Sequence, residues 1–301
     1  MKLTIGWLYP DLMSTYGDRG NVICLQKRCE WRGIEVEILP IEVETTVQDL
    51  EKTDLIMGGG SQDRQQEIVM RDLKGVKGAI IKKMIDDGKP GIFTCGAPQL
   101  LGHYYEPAIG QRIEGLGIFD MVSICPGLDK PRCIGNIVVE VINLDQSERL
   151  SGEPLDFTRG KLRDSRIDPG QARTKGFWTS QNDETKYLVG FENHGGRTYL
   201  GKNVAPLAKV IKGFGNNGED KTEGAVYKNA VATYLHGPVL PKNPHLADWL
   251  IQKALEMKFE KKIELEKLDD SLEWQAHKFI LKRLGVESLW KNTYSTVTIK
   301  T

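Results

Sequence analysis

The sequence carries no excess charge of either sign. Its 41 basic and 41 acidic residues cancel over 301 positions, so composition offers no footprint for nucleic acid or an anionic membrane, and any partner must be recognised locally. Long hydrophobic runs are also missing. No stretch approaches the roughly 20 apolar residues of a membrane span, and Met1–Gly6 enters a strand pattern without the apolar region of a signal peptide; a cytoplasmic location is expected. Cysteine is sparse: the five at positions 24, 29, 95, 125 and 133 are an odd number without framework spacing, which argues for reduced thiols. Cys125 and Cys133 have no close His or Cys companions, so no zinc site is expected. Nucleotide-binding loops are absent too. Gly58-Gly59-Gly60-Ser61-Gln62 is followed by no Gly-Lys-Ser/Thr and does not match Gly-x-Gly-x-x-Gly, and ATP binding by this chain is not expected.

What is present is strand and helix in alternation. Leu3–Tyr9, Ile34–Ile41, Asp54–Met57 and Ile92–Thr94 read as short apolar strands. Asn21–Trp31, a polar helix from a Ser61 cap through Asp72, and Lys77–Asp87 lie between them. This order predicts an α/β fold, a doubly wound, mostly parallel sheet flanked by helices, with sites at the carboxyl ends of strands. From Ile118 the strands shorten: Asp120–Ile124, Gly135–Val141, Tyr187–Phe191 and Ala230–Leu235. A polar stretch, 145–184, reads as a surface insertion. Helices follow at Pro244–Met257 and Ser271–Leu284, the second with Trp274, Phe279 and Leu284 as its apolar stripe, and Glu287–Thr301 reads as a loose tail. The expected division is a catalytic domain over 1–243 and a helical extension with its tail over 244–301.

The chain is organised around Gly91–Gly102. Gly88 and Pro90 end the preceding helix, a buried strand delivers Cys95 into a turn, and Ala97–Leu101 begin a helix. Gly96 is expected to take a backbone angle closed to branched residues. A thiol presented this way is a nucleophile in its thiolate form, and Gln99, four residues on, returns toward it by helical periodicity. The glycines at 58–60 end a neighbouring strand, where backbone amides near Gly59, Gly60 and Gly96 can form an oxyanion hole. A thiolate needs a base. His103, His245 and His277 read as surface or structural residues. His194 and His236 each follow an apolar strand and precede glycine.

With these residues on the page, Cys95-Gly96-Ala97-Pro98-Gln99-Leu100-Leu101-Gly102 resembles the nucleophile turn of class I glutamine amidotransferases of the cobyric-acid-synthase-like branch. Gly190–Thr198, Gly215-Asn216-Asn217 and Ala232–Pro238 narrow the resemblance to the GatD-type glutaminase subunits of lipid II isoglutaminyl synthase. It implies Cys95 as nucleophile, His236 as catalytic histidine, Arg132 and Gln99 as substrate contacts for L-glutamine, and no cofactor in this chain. It also implies a heterodimer with a MurT-type, Mur-ligase-like subunit that binds ATP and magnesium and amidates D-glutamate of lipid II. Gly237-Pro238 stand where other class I enzymes place a Glu two residues after the histidine. The third triad member is therefore expected to come from the partner, and the isolated chain to be a weak glutaminase. The alternatives are a cobyrinic-acid-type amidotransferase subunit and a non-catalytic scaffold.

Overall fold

A computed structural model describes residues 1–15, 17–144 and 183–286. The expected insertion, apart from its last two residues, and the expected tail lie outside the described residues. In chain order the elements are β1 (Lys2–Leu8), α1 (Arg19–Glu30), β2 (Glu35–Ile41), α2 (Val47–Glu51), β3 (Leu55–Gly58), α3 (Asp63–Leu73), α4 (Val76–Asp86), β4 (Gly91–Thr94) and α5 (Gly96–Leu101). Then come β5 (Tyr104–Glu106), β6 (Ile113–Glu114), β7 (Met121–Ile124), β8 (Cys133–Val141), β9 (Tyr187–His194), β10 (Arg197–Leu200) and β11 (Ala208–Lys212). The last are β12 (Thr222–Glu223), β13 (Ala225–Tyr227), β14 (Ala230–Thr233), α6 (Pro244–Phe259) and α7 (Ser271–Arg283).

The central sheet runs β13-β14-β4-β3-β1-β2. Every pairing in it is parallel except β13 with β14, so the expected doubly wound α/β sheet is found. Two smaller sheets, β10-β7-β5-β6 and β12-β11-β8-β9, flank it. β3 and β4 are buried along their whole length, as central strands covered on both faces must be. Alternate side chains serve opposite faces. Ile5, Leu55, Met57, Ile92 and Val231 pack with Leu246, Trp249 and Leu250 of α6. Leu8, Ile56 and Phe93 pack with Val69 and Met70 of α3 and Ile81 and Ile85 of α4.

The core therefore runs through the expected division at 243/244: α6 covers one face of the central sheet. Arg28 of α1 ties the next segment down, reaching Asp248 of α6 at 2.7 Å and Asp270, which precedes α7, at 2.5 Å. The stripe of α7 also differs from the one read in sequence. It buries His277 and Leu281, with Trp274 stacked on His245, whereas Phe279 is 60% exposed. Positions 274, 277, 281 and 284 share a face at 3.6 residues per turn, and 279 points away from it. Ser61 does not cap α3 either, since the helix starts one residue later from Gln62 without a side-chain cap.

Candidate active site

Cys95 joins β4 to α5 with φ 53° and ψ −97°. The unusual backbone angle is thus carried by the cysteine itself and not, as expected, by Gly96, which has no positive φ. A non-glycine residue in such a region stores strain and turns its side chain out of the strand direction, as nucleophile elbows do. Gly96 is required for a different reason: a Cβ there would stand 2.8 Å from Ser61 Oγ and 2.9 Å from Ser61 N. Two backbone bonds fix the turn. Cys95 N donates to Thr233 O at 2.9 Å, and Ala97 N donates to Gly59 O at 3.1 Å. The elbow is thereby tied to the ends of both neighbouring strands, β14 and β3, and Cys95 is only 7% exposed.

His236 follows β14, whose end is anchored from below by buried Glu223. Oε1 of that residue accepts from Thr233 Oγ1 at 2.5 Å and from Tyr234 N at 2.9 Å. The His236 backbone then bridges Phe191 of β9, its N–H donating to Phe191 O at 2.7 Å. Gly60 sits against both reactive side chains. A Cβ on Gly60 would stand 3.3 Å from Cys95 Cβ and 3.6 Å from His236 Cε1, so this glycine brings thiol and imidazole to the same small space. Burial alone would lower the pKa of His236, but the charge of a Cys95 thiolate and the Asp18 carboxylate outweigh it and raise the value to about 10.

Asp18 is the residue that sequence reasoning missed. It is fully buried, and its Oδ1 lies 3.9 Å from His236 Nδ1, an ion-pair distance. Oδ1 also accepts from Thr94 Oγ1 at 3.0 Å, while Oδ2 accepts from Gly60 N at 2.6 Å. Asp18 is thus a carboxylate of this chain beside His236. The expected oxyanion-hole role of Gly60 is corrected, because its amide hydrogen is engaged by Asp18. Gly59 and Gly96 remain beside the elbow.

His194 ends β9 and is buried in a different setting. Its ring stacks on Tyr234 with centroids 3.7 Å apart, Nδ1 lies 2.7 Å from Gly196 O, and Nε2 is 4.0 Å from Glu192. Burial lowers its pKa to about 3, against which the bond to Gly196 acts only partly; the ring is neutral. Tyr234 belongs to a buried chain of bonds. Gln66 Nε2 donates to Gln99 Oε1 at 2.8 Å, Gln99 Nε2 to Tyr234 Oη at 3.3 Å, and Tyr234 Oη meets Thr198 Oγ1 at 2.8 Å. Gln99 therefore lies in the wall of the site, with one bond at its oxygen and one at its nitrogen made to protein partners.

The turn after β9 lies over this wall. A Cβ at Gly196 would stand 2.8 Å from Gln99 Nε2, so any larger residue there would displace the Gln99 amide. Arg132, just before β8, is clamped above the same turn. Its Nε donates to Asn193 Oδ1 at 3.1 Å and Nη2 to Asn193 O at 3.0 Å, and the place of a Gly195 Cβ is 3.1 Å from Nη1. The fork is oriented before any ligand arrives. The other histidines take no part: His103 pairs with Asp120 at 2.9 Å, and His245 and His277 are buried around Trp274.

A cysteine elbow and a histidine thus meet at the carboxyl ends of the adjacent parallel strands β4 and β14. A solved structure described as a glutamine amidotransferase superposes with a TM-score of 0.50 at 13% identity, covering 83% of this chain and 98% of its own. The chain belongs to the CobB/CobQ-like glutamine amidotransferase domain family, which it matches over residues 4–244. Within that family it is similar to the GatD subunit of the glutamine-hydrolysing lipid II isoglutaminyl synthase of Staphylococcus aureus, with 35% identity over 94% of this chain and 96% of that protein. The GatD subunit of Streptococcus pneumoniae is also 35% identical, over 90% of this chain and 87% of its own. A probable cobyric acid synthase of Methanosphaera stadtmanae is 26% identical over 67% of this chain, which spans only 34% of that longer protein.

Proposed function

We propose that this glutamine amidotransferase is the glutaminase subunit of a lipid II isoglutaminyl synthase. In this reading it hydrolyses L-glutamine through a Cys95 thioester and delivers ammonia to a MurT-type, ATP-dependent ligase subunit that amidates D-glutamate of lipid II. The observation that carries the hydrolytic reading is the proximity of Cys95 and His236, whose side chains both lie within 3.6 Å of the place of a Gly60 Cβ. The acceptor and the ligase come from the similarity to the GatD subunits, which extends over nearly the whole chain.

The Cys95 thiolate attacks the side-chain amide carbon of glutamine. A C–S bond forms, and the carbonyl electron pair moves onto oxygen, toward the amides of Gly59 and Gly96. The tetrahedral centre then collapses. The C–N bond breaks, and His236 gives its proton to the departing nitrogen, which leaves as ammonia. With Nδ1 turned to Asp18, the ring nitrogen available for this transfer is Nε2. Neutral His236 next takes a proton from water, whose oxygen attacks the thioester. Glutamate is released, and the thiolate and imidazolium are restored. Arg132 holds the α-carboxylate of free glutamine through its fork, a pairing that suits a bidentate carboxylate.

The test is glutamine hydrolysis by the chain, alone and with the ligase subunit encoded in its native host, followed by transfer of the amide nitrogen to lipid II. Release of glutamate that depends on Cys95, and amidation of lipid II only by the pair, is the expected result. Hydrolysis without any lipid II amidation by the pair would remove the acceptor from the proposal. Undiminished hydrolysis by Cys95→Ala would remove the mechanism.

A further inference from the structure

The buried chain of bonds in the wall of the site ends in an amide whose oxygen is left over. Gln66 lies in the first turn of α3 and is 1% exposed. Its Nε2 donates to Gln99 Oε1 at 2.8 Å and to Ser61 O at 3.5 Å. A backbone carbonyl only accepts, so the amide atom facing Ser61 O is the nitrogen, and Oε1 is fixed on the other side of the amide. That oxygen is buried and has no hydrogen-bond partner among the described residues, and the same holds for Ser61 Oγ. Both side chains crowd the residue that follows the nucleophile. The place of a Gly96 Cβ is 2.8 Å from Ser61 Oγ and 3.1 Å from Gln66 Nε2. A buried polar atom left without a partner keeps its whole desolvation cost, and two of them beside one turn are unfavourable unless a ligand completes them.

We propose, on the glutamine-hydrolysing reading of this site, that Gln66 Oε1 and Ser61 Oγ receive the N–H groups of the substrate's side-chain amide and so select a carboxamide over an acid or an ester. A carboxamide brings one acceptor oxygen and two N–H donors. Its oxygen is met by backbone amides at the elbow, which donate. Its nitrogen needs acceptors, and the other side chains of this wall are already bonded: Gln99 Oε1 takes Gln66 Nε2, while Tyr234 Oη takes Gln99 Nε2 and meets Thr198 Oγ1. Glutamate, the product, is ionised at neutral pH and has no hydrogen to offer from its side chain. In the same place it sets a carboxylate oxygen against Gln66 Oε1, acceptor against acceptor, which favours its departure. A site that pairs with a substrate's N–H rejects an analogue lacking it more sharply than an apolar pocket does, because the buried partner is then left unpaired.

The test reads binding and not turnover. The full-length chain carrying Cys95→Ala, alone and with the ligase subunit, is titrated calorimetrically with L-glutamine and with L-glutamate γ-methyl ester. The ester keeps the carbonyl and the neutral side chain but has no N–H at the γ position. Glutamine should bind about tenfold or more tightly than the ester. Gln66→Met, close in size and without an acceptor oxygen, should weaken glutamine, leave the ester within about threefold, and bring the preference down to about twofold. Ser61→Ala should lower the preference by about threefold. It removes only a hydroxyl, so it reads the same contrast if Gln66→Met does not fold. Equal weakening of both ligands in the variants, with an unchanged preference, is what a packing role gives and overturns the proposal. Equal affinity for the two ligands in the Cys95→Ala chain does the same while leaving the hydrolytic reading in place. Failure of glutamine to bind either the chain or its complex overturns that reading, and the proposal with it.

Discussion

Among the described residues, two buried histidines face a buried carboxylate at nearly the same separation, His236 with Asp18 at 3.9 Å and His194 with Glu192 at 4.0 Å. Both histidines end or follow strands, both precede glycine, and both are almost inaccessible. Their pKa values nevertheless move in opposite directions. Beside the thiolate and a carboxylate that addresses Nδ1, His236 is raised to about 10, while desolvation takes His194 down to about 3. The Glu192 oxygens are turned to two backbone amides, and the His194 ring is stacked flat on Tyr234. A buried carboxylate near a histidine does not make a base. Burial opposes the charge in both; beside His236 the thiolate and Asp18 outweigh it, whereas beside His194 Arg197 and Arg132 add to it.

The comparison breaks most completely at the sulfur. Cys95→Ala should abolish glutamine hydrolysis with an unchanged fold, checked by turnover alongside circular dichroism, since the substitution removes the nucleophile and little volume. Next in size is the separation of the two rings. His236→Ala should lose on the order of a hundredfold or more in kcat. His194→Ala should keep most of its kcat and instead lower the melting temperature, by removing a packed ring worth roughly 0.5–3 kcal/mol. Inverted results would exchange the roles of the two pairs.

A smaller effect is expected at Arg132, which lies on the His194 side of the site. Arg132→Ala should raise the glutamine concentration for half-maximal rate by the loss of a charge-assisted pair worth roughly 1.5–3 kcal/mol. Arg132→Lys should restore only part of it, because an ammonium has no fork; initial-rate kinetics over a glutamine series checks both.

The subtlest difference is in pH. His236, raised from 6.5 to about 10, contributes stability that is present below 6.5 and is lost as pH climbs toward 10. His194, lowered from 6.5 to about 3, binds protons more readily when unfolded, so its contribution is lost as pH falls from 6.5 toward 3. Denaturation at a series of pH values should show His236→Asn flattening the alkaline limb and His194→Asn the acid limb. If both variants flatten the same limb, the two histidines do not differ in charge.

Much of this was legible in the chain because its signals are local. The strand–turn–helix pattern around Cys95 and the glycine run at 58–60 are contiguous in sequence, as is the apolar strand leading to His236. The parallel sheet follows from the same alternation. Asp18 was not legible for the opposite reason. It lies 76 residues from Thr94, in a short connection where an aspartate reads as an ordinary helix start, and only folding brings that connection over the strand ends. That Asp18 does not cap its helix is visible only in the folded chain. For Gln99, periodicity says which face the side chain occupies, not that Gln66 and Tyr234 are its protein partners. Strands β5, β6 and β10–β13 have two to five residues each, too few for a period-two pattern to declare itself.

The central claim is that Cys95 and His236 act as one unit on glutamine, and covalent capture reads it directly. The chain is treated with a glutamine analogue carrying an electrophilic carbon at the amide position, and the modified peptides are identified by mass spectrometry in the parent, His236→Ala and His194→Ala proteins. The account predicts modification of Cys95 alone, sparing Cys24, Cys29, Cys125 and Cys133, protected by glutamine, lost in His236→Ala and retained in His194→Ala. Equal modification of several cysteines, or retention in His236→Ala with loss in His194→Ala, would contradict it.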